Sequence, residues 1–247
     1  MITLLNHFYN EEYLLPFWLE HHKKIFDHGI LVNYNSTDDS LKIINDIVPE
    51  WTVINSRNAE FDVHGVDNEI TDIEKTIKGY KICLNTTEFL LCSKNINDIL
   101  NNNVYRIKQF AVSDKNADSN PTNLESFIDG LKFASLEKSY GYRFLHNLET
   151  NYGYTAGRHH FVYSNIHDTD EMHIAHCRFY PWNKSFIDRK LQIGKRIPEW
   201  QKLDGAGYQH LWNLETMEEK RAELNLYCSD ITENYNIRKC FENHAKN

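Results

Sequence analysis

An α/β fold is predicted by three features of this chain. Strand-like apolar runs alternate with amphipathic helical stretches from Ile2 to Leu84, as a sheet covered by helices requires. Each strand run empties into a polar loop, and those loops fall at the carboxyl ends of successive strands, where open α/β sheets bind ligands. The 247 residues suit one large sheet flanked by helices, with 41% hydrophobic and 13% aromatic residues to fill its core.

Taken in order, Ile2 to Phe8 is a buried strand, and Asn10-Glu11-Glu12 opens a helix that Gly29 is expected to close. Pro16 is tolerable because it lies in the first turns. Ile30 to Tyr34 is a second strand running into Asn35-Ser36-Thr37-Asp38-Asp39-Ser40, where Ser36 or Thr37 can cap the next helix. Trp51 to Ile54 is the third strand. A helix from Val66 shows Ile70, Ile73 and Ile77 at helical spacing and ends at Gly79. Tyr80 to Leu84 is a fourth strand and Val104 to Phe110 a further one. Ala111 to Asn123 has no periodicity and is expected to be a long loop, functional or disordered, with Asp114 and Asp118 as its acids. Residues 1–213 form the main domain in this reading, and 214–247 a helical extension packed on it.

The loop chemistry points to a nucleotide. An Asn-Ser-Thr-Asp cluster can hold a base and ribose by hydrogen bonds, and the glycines of a dinucleotide-binding fingerprint are missing. The net charge of −8 and pI of about 5.9 speak against nucleic acid as a partner. No run reaches the ~18 apolar residues of a membrane span. Five cysteines, Cys83, Cys92, Cys177, Cys228 and Cys240, lack metal-ligand spacing and read as reduced thiols. Together with sequons at Asn35 and Asn85 inside the expected site, they favour a cytoplasmic protein.

Phe8-Tyr9-Asn10-Glu11-Glu12-Tyr13-Leu14-Leu15-Pro16-Phe17-Trp18-Leu19-Glu20-His21-His22, followed by Asn33-Tyr34-Asn35-Ser36-Thr37-Asp38, resembles the opening of family-2-like glycosyltransferases with a GT-A fold. The resemblance extends over residues 1–200. It implies a GT-A-like single domain with a mixed, mostly parallel sheet, and transfer of a sugar from a nucleotide-diphosphate donor to a glycan, lipid-linked or protein acceptor. The alternative is an inactive domain of the same fold that binds a nucleotide sugar or glycan. His7, Tyr9, Asn10 and Glu11 with Asn33, Asn35, Asp38, Asn85 and Thr87 would hold the nucleotide's base and ribose.

Leu84-Asn85-Thr86-Thr87-Glu88-Phe89-Leu90 occupies the place of the family's L-D-x-D-E-F-L, whose carboxylates bind ribose and a divalent metal. Asn85 and Thr87 replace both aspartates, and neutral oxygens are poor ligands for manganese or magnesium held against phosphates. Three outcomes are open. A metal is bound weakly, or only with the nucleotide, through Glu88 and a distant group such as His176; or cationic side chains neutralise the diphosphate; or catalysis is lost.

Arg189, Lys190, Lys195 and Arg196 lie in one basic stretch that can clamp a diphosphate or form a solvated face. Gly157-Arg158-His159-His160-Phe161 and the strand around His176 match further family positions. There His160 and His176 can ligate metal, bond phosphate or simply be buried and satisfied. Asp204, beside Gly205 in a loop able to close over substrate, is the expected catalytic base, with His160 beside it as the second candidate.

Overall fold

The structure, a computed structural model, describes residues 1–115, 118–138, 141–150, 152–204 and 207–245, without the side chains of Ala156, Leu203 and Asp204. Its first half runs β1 (Ile2–Phe8), α1 (Leu15–His22), β2 (His28–Asn33), α2 (Ser40–Ile47), β3 (Thr52–Asn55), α3 (Val63–Glu74), β4 (Tyr80–Cys83) and β5 (Glu88–Cys92). The second half runs β6 (Val104–Ser113), α4 (Leu124–Gly130), β7 (Phe133–Ser135), β8 (Tyr142–His146), β9 (His167–Phe179), α5 (Lys184–Ile193), α6 (Glu199–Asp204), α7 (Leu214–Asn225), β10 (Ser229–Asp230) and α8 (Tyr235–His244).

The strands form one mixed sheet in the order β10-β7-β6-β8-β4-β1-β2-β3, with β9 joining β6 and β5 off that path. Parallel ladders link β3, β2, β1 and β4, and β6 with β9; the remaining pairings are antiparallel. This is the α/β class expected, a single mixed sheet flanked by helices. Strands covered on both faces read as near-continuous apolar runs, and β1 shows why. Ile2, Leu4 and Phe8 pack in the core with α1 and α2, while Leu5 joins Val66 and Ile70 of α3 in a second cluster. Met217 and Leu224 of α7 and Ile237, Cys240 and Phe241 of α8 belong to the first core, so residues beyond 213 share the sheet's own packing.

Several boundaries differ from the sequence reading. Asn10 does not cap α1: it sits at φ 49°, and the helix starts only at Leu15. Gly29 does not end a helix but lies within β2, where a Cβ would collide with the Trp51 indole, so close packing rather than capping explains it. Asp39, not Ser36 or Thr37, precedes α2. The expected loop from Ala111 begins as strand, because β6 continues to Ser113. Asp114 is then buried, and its carboxylate accepts from the Trp182 amide at 2.9 Å, so it ties β6 to the chain after β9. All five cysteines are free thiols. Among the described residues no helix is long and apolar enough to cross a membrane.

Candidate functional site

A cavity of about 360 Å³ opens at the carboxyl ends of β1 and β4. Its floor comes from β1, from the Asn85–Glu88 turn between β4 and β5, and from β8 and β9; its far wall comes from α5 and the segment through Trp212. Register creates the floor. The β5–β9 ladder sets Glu88 opposite His176, and β8 delivers Arg143.

Glu88 is 1% exposed and fully engaged. Arg143 donates to it from Nε at 2.9 Å and from Nη2 at 2.7 Å, Gln109 donates at 2.9 Å, and the Asn85 amide at 2.9 Å. Burial works to raise this carboxyl, yet the Arg143 guanidinium and these hydrogen bonds hold it below the usual range. The turn itself is clamped from below, where the Trp18 indole N–H donates to the carbonyls of Asn85 and Glu88, each at 3.0 Å.

This arrangement corrects the metal assignment. Glu88 and His176 do meet, but both Glu88 oxygens are already committed, and a guanidinium occupies the position a cation would need. Asn85 and Thr87 line the cavity with neutral oxygens only. Among the described residues no three His, Cys, Asp or Glu side chains gather to hold a metal ion. The donor set therefore does not fit a divalent cation held by the protein.

Glu11, the other lining carboxylate, is also taken. It forms a two-pronged ion pair with Arg189, with Nη2 to Oε1 at 2.8 Å and Nε to Oε2. A residue expected to hold the nucleotide and one expected to hold the diphosphate thus neutralise each other and pin α5 to the loop after β1.

The remaining cations face the cavity differently. Lys190 donates to the Arg178 carbonyl at 2.9 Å, and burial, then Arg189 and Arg178, bring its amine down to about 7. Arg196 donates to the carbonyls of Tyr34 at 2.6 Å and Ala59 at 2.9 Å and lies over the Tyr9 ring at 4.0 Å. Both charges are met by carbonyl dipoles and aromatic faces, not by carboxylates. Arg178 lines the same wall. Lys195 does not: it is exposed and outside the cavity, because it falls on the opposite side of the turn after α5.

Four histidines surround this charge and are kept neutral. Burial first, and then neighbouring cations such as Arg143 or Lys190, lower His7, His159 and His210 to about 4 and His176 to about 3. His160, one position beyond His159, is exposed and is not among the residues that line the cavity. The side chain of Asp204 lies outside the described residues, so its role as base stays an expectation.

The polar loop after β2 is turned inward on itself. Asn10 accepts from the Thr37 amide at 2.8 Å, Asn33 from the Ser36 amide at 2.9 Å, and Asp38 from the amides of Glu12 and Ser40 at 3.0 and 3.1 Å. Asn35 is exposed at φ 57°. Of the residues expected to hold base and ribose, only His7, Tyr9, Glu11, Asn85 and Thr87 line the cavity; Asn10, Asn33, Asn35 and Asp38 do not.

Arg143, His159, Arg178 and His210 were not anticipated. Arg143 carried a signal: a charge inside Tyr142-Arg143-Phe144-Leu145-His146 must find a buried partner if that run is a strand. For His159 the signal was Gly157 two residues before it, a turn that decides which of two adjacent histidines points inward.

No family model matches the sequence, and no curated protein matches it. Among solved structures, S. aureus TarS 1-349 is similar over 98% of this chain and 88% of its own, at 12% identity and a TM-score of 0.44. TarS 1-349 in complex with UDP aligns with 49% of this chain and 38% of that one, at 15% identity and a TM-score of 0.36. Glucosyl-3-phosphoglycerate synthase from Mycobacterium tuberculosis, in complex with Mn2+, UDP and glucosyl-3-phosphoglycerate, aligns with 45% of this chain and 44% of that one, at 13% identity and a TM-score of 0.31. In the last two alignments the chain spans less than half the length of the protein it matches.

Proposed function

We propose that this chain is a glycosyltransferase that takes its sugar from a nucleotide-diphosphate donor, with cavity cations in place of a protein-held metal to balance the departing diphosphate. One observation carries the reading: in a chain of net charge −8, the cavity presents Lys190 and Arg196 while each of its lining carboxylates is cancelled by an arginine. Such a site attracts a compact polyanion, and positive groups aimed at charge that develops on a leaving group stabilise the transition state. Tyr9, Tyr34 and Phe61 beside that charge offer flat faces to a nucleobase or sugar. The order of the amino-terminal motifs supplies the sugar-nucleotide part of the assignment. The acceptor is proposed only as a glycan-type hydroxyl compound.

A binding domain without turnover is the second reading, and it has its own observation: neither lining carboxylate, Glu11 nor Glu88, is available as a base. Thermal shift with UDP, GDP, CDP and dTDP, each with EDTA, tests the shared premise, since a ligand of the folded state raises stability by mass action. At least one diphosphate at millimolar concentration should raise the melting temperature in EDTA. No response to any of them, with or without manganese, overturns the nucleotide assignment. Release of free sugar from UDP-glucose, UDP-N-acetylglucosamine or GDP-mannose in EDTA then separates a transferase from a binder.

A further inference from the structure

Resting on the transferase reading, we infer that His159 is the proton-accepting residue of this site, general base to the incoming hydroxyl. The segment that carries it is built to present one imidazole. Gly141 and Gly157, at φ 123° and 74°, flank the ring, and a Cβ on Gly141 would stand 2.8 Å from Nδ1 and one on Gly157 2.9 Å from Cδ2. Two side chains are absent just where the ring lies.

The backbone around the slot is strained and firmly held. Arg158 adopts φ 59°, a left-handed conformation unfavourable for a residue with a Cβ. Its guanidinium donates to both Glu74 oxygens at 2.7 Å and to Thr71 at 2.8 Å, and it lies 3.6 Å from the Tyr154 ring centre. Gly157 donates its amide to Asp67 at 2.6 Å and accepts from Arg143 at 2.7 Å. Arg143 thus touches both Glu88 and the turn that aims His159, linking floor and slot. Strain that the surroundings over-determine is characteristic of functional positions.

His159 lines the cavity, and its Nδ1 is buried without a hydrogen-bond partner, so we assign the accepting lone pair to Nε2. Among the described residues Glu11 and Glu88 are both paired, and the neutral imidazole of His159 is a proton acceptor beside the cations. In the step, the acceptor O–H gives its proton to Nε2 as its oxygen bonds to the anomeric carbon. The anomeric carbon–oxygen bond to the phosphate breaks, and that electron pair leaves with the nucleoside diphosphate. The imidazolium then returns its proton to solvent. Arg158 and Glu74 are positioning residues, acting through the turn.

The test compares the wild type with His159→Gln and His159→Ala, using UDP-glucose, UDP-N-acetylglucosamine and GDP-mannose as donors and water or methyl glycosides as acceptors. General-base loss should lower kcat about 100-fold or more while the Kd for UDP or GDP stays within about threefold. Added imidazole should restore part of the His159→Ala rate, which a purely structural role would not allow. A His159→Gln enzyme that keeps more than about half of the wild-type kcat overturns the base assignment alone. So does a loss that appears wholly in Kd and is not rescued. Wild-type protein that binds UDP or GDP yet turns over no donor overturns the transferase reading, and the base with it.

Discussion

The two walls of the cavity solve opposite problems. The wall from the first ninety residues offers uncharged groups at Asn85 and Thr87, while Asn10, Asn33 and Asp38, outside the cavity, spend their hydrogen bonds on one another's loops. The wall from Arg143 onward is cationic and carries most of the cavity's titratable groups. Among the described residues Glu88 and Glu11 are the lining carboxylates, and each is cancelled by an arginine from the other wall. The amino-terminal half thus builds a rigid frame, and the carboxyl-terminal half brings the charge. In the proposed function, recognition of the diphosphate therefore falls to the strands and helices added after β5.

The most severe way to break this division is at its buried contact. Arg143→Met leaves Glu88 charged and uncompensated, and should cost about 3–5 kcal/mol in urea or thermal unfolding, with the Arg143→Met/Glu88→Leu double variant recovering most of it. A single variant as stable as the wild type would mean that the floor is not held by this pair.

A smaller effect separates the walls functionally. Lys190→Met should weaken nucleoside diphosphate binding about tenfold by calorimetry, as loss of a charge-assisted contact does. Asn35→Ala and Lys195→Met, both outside the cavity, should change it by less than about twofold on the same scale. A greater loss from Asn35→Ala would move the ligand onto the loop after β2 and reverse the comparison.

The mildest effect is on pH. Because a bound polyanion favours the protonated amine, Lys190 takes up a proton on binding when it starts deprotonated. Affinity should be flat below pH 7 and fall as pH rises above it, where free Lys190, lowered to about 7, has lost its proton. Stability follows the histidines: His7, His159 and His210, lowered to about 4, bind fewer protons folded than unfolded. Acidification from about pH 6.5 toward 4 should therefore lower the melting temperature. Lys190→Met should abolish the first dependence and leave the second.

The same division explains what could be read in advance. Local pattern is strong in the frame: the β1-α1-β2 unit, the strands near Trp51 and Tyr80 and the helix around Ile70 all follow from periodicity and turn residues. Tertiary facts were not local. Gly29 looked like a helix stop because the Trp51 ring that excludes its side chain lies twenty-two residues away. Glu88 looked like a free metal ligand because its partner, Arg143, is fifty-five residues away. His160 was preferred to His159 because the left-handed turn at Gly157 and Arg158, which reverses which ring faces inward, leaves only a glycine as its trace. Arg189, Lys190 and Arg196 line the cavity and Lys195 does not, a difference that one unbroken basic run does not display.

The Arg143–Glu88 pair also bears on how such a site would be supplied. A metal cofactor is shared with the solution: it can be depleted, exchanged for a competitor or withdrawn by a chelator. A guanidinium is part of the polypeptide, present in every copy at one fixed stoichiometry and bonded on both flanks, to Glu88 and to Gly157. Writing aspartates back into positions 85 and 87 would place new carboxylates beside Arg143, which would compete as their counter-ion before any divalent ion arrived. Converting this cavity to metal dependence would take the removal of the arginine as well as the return of the acids, so the two ways of meeting a diphosphate are separated by more than one mutational step.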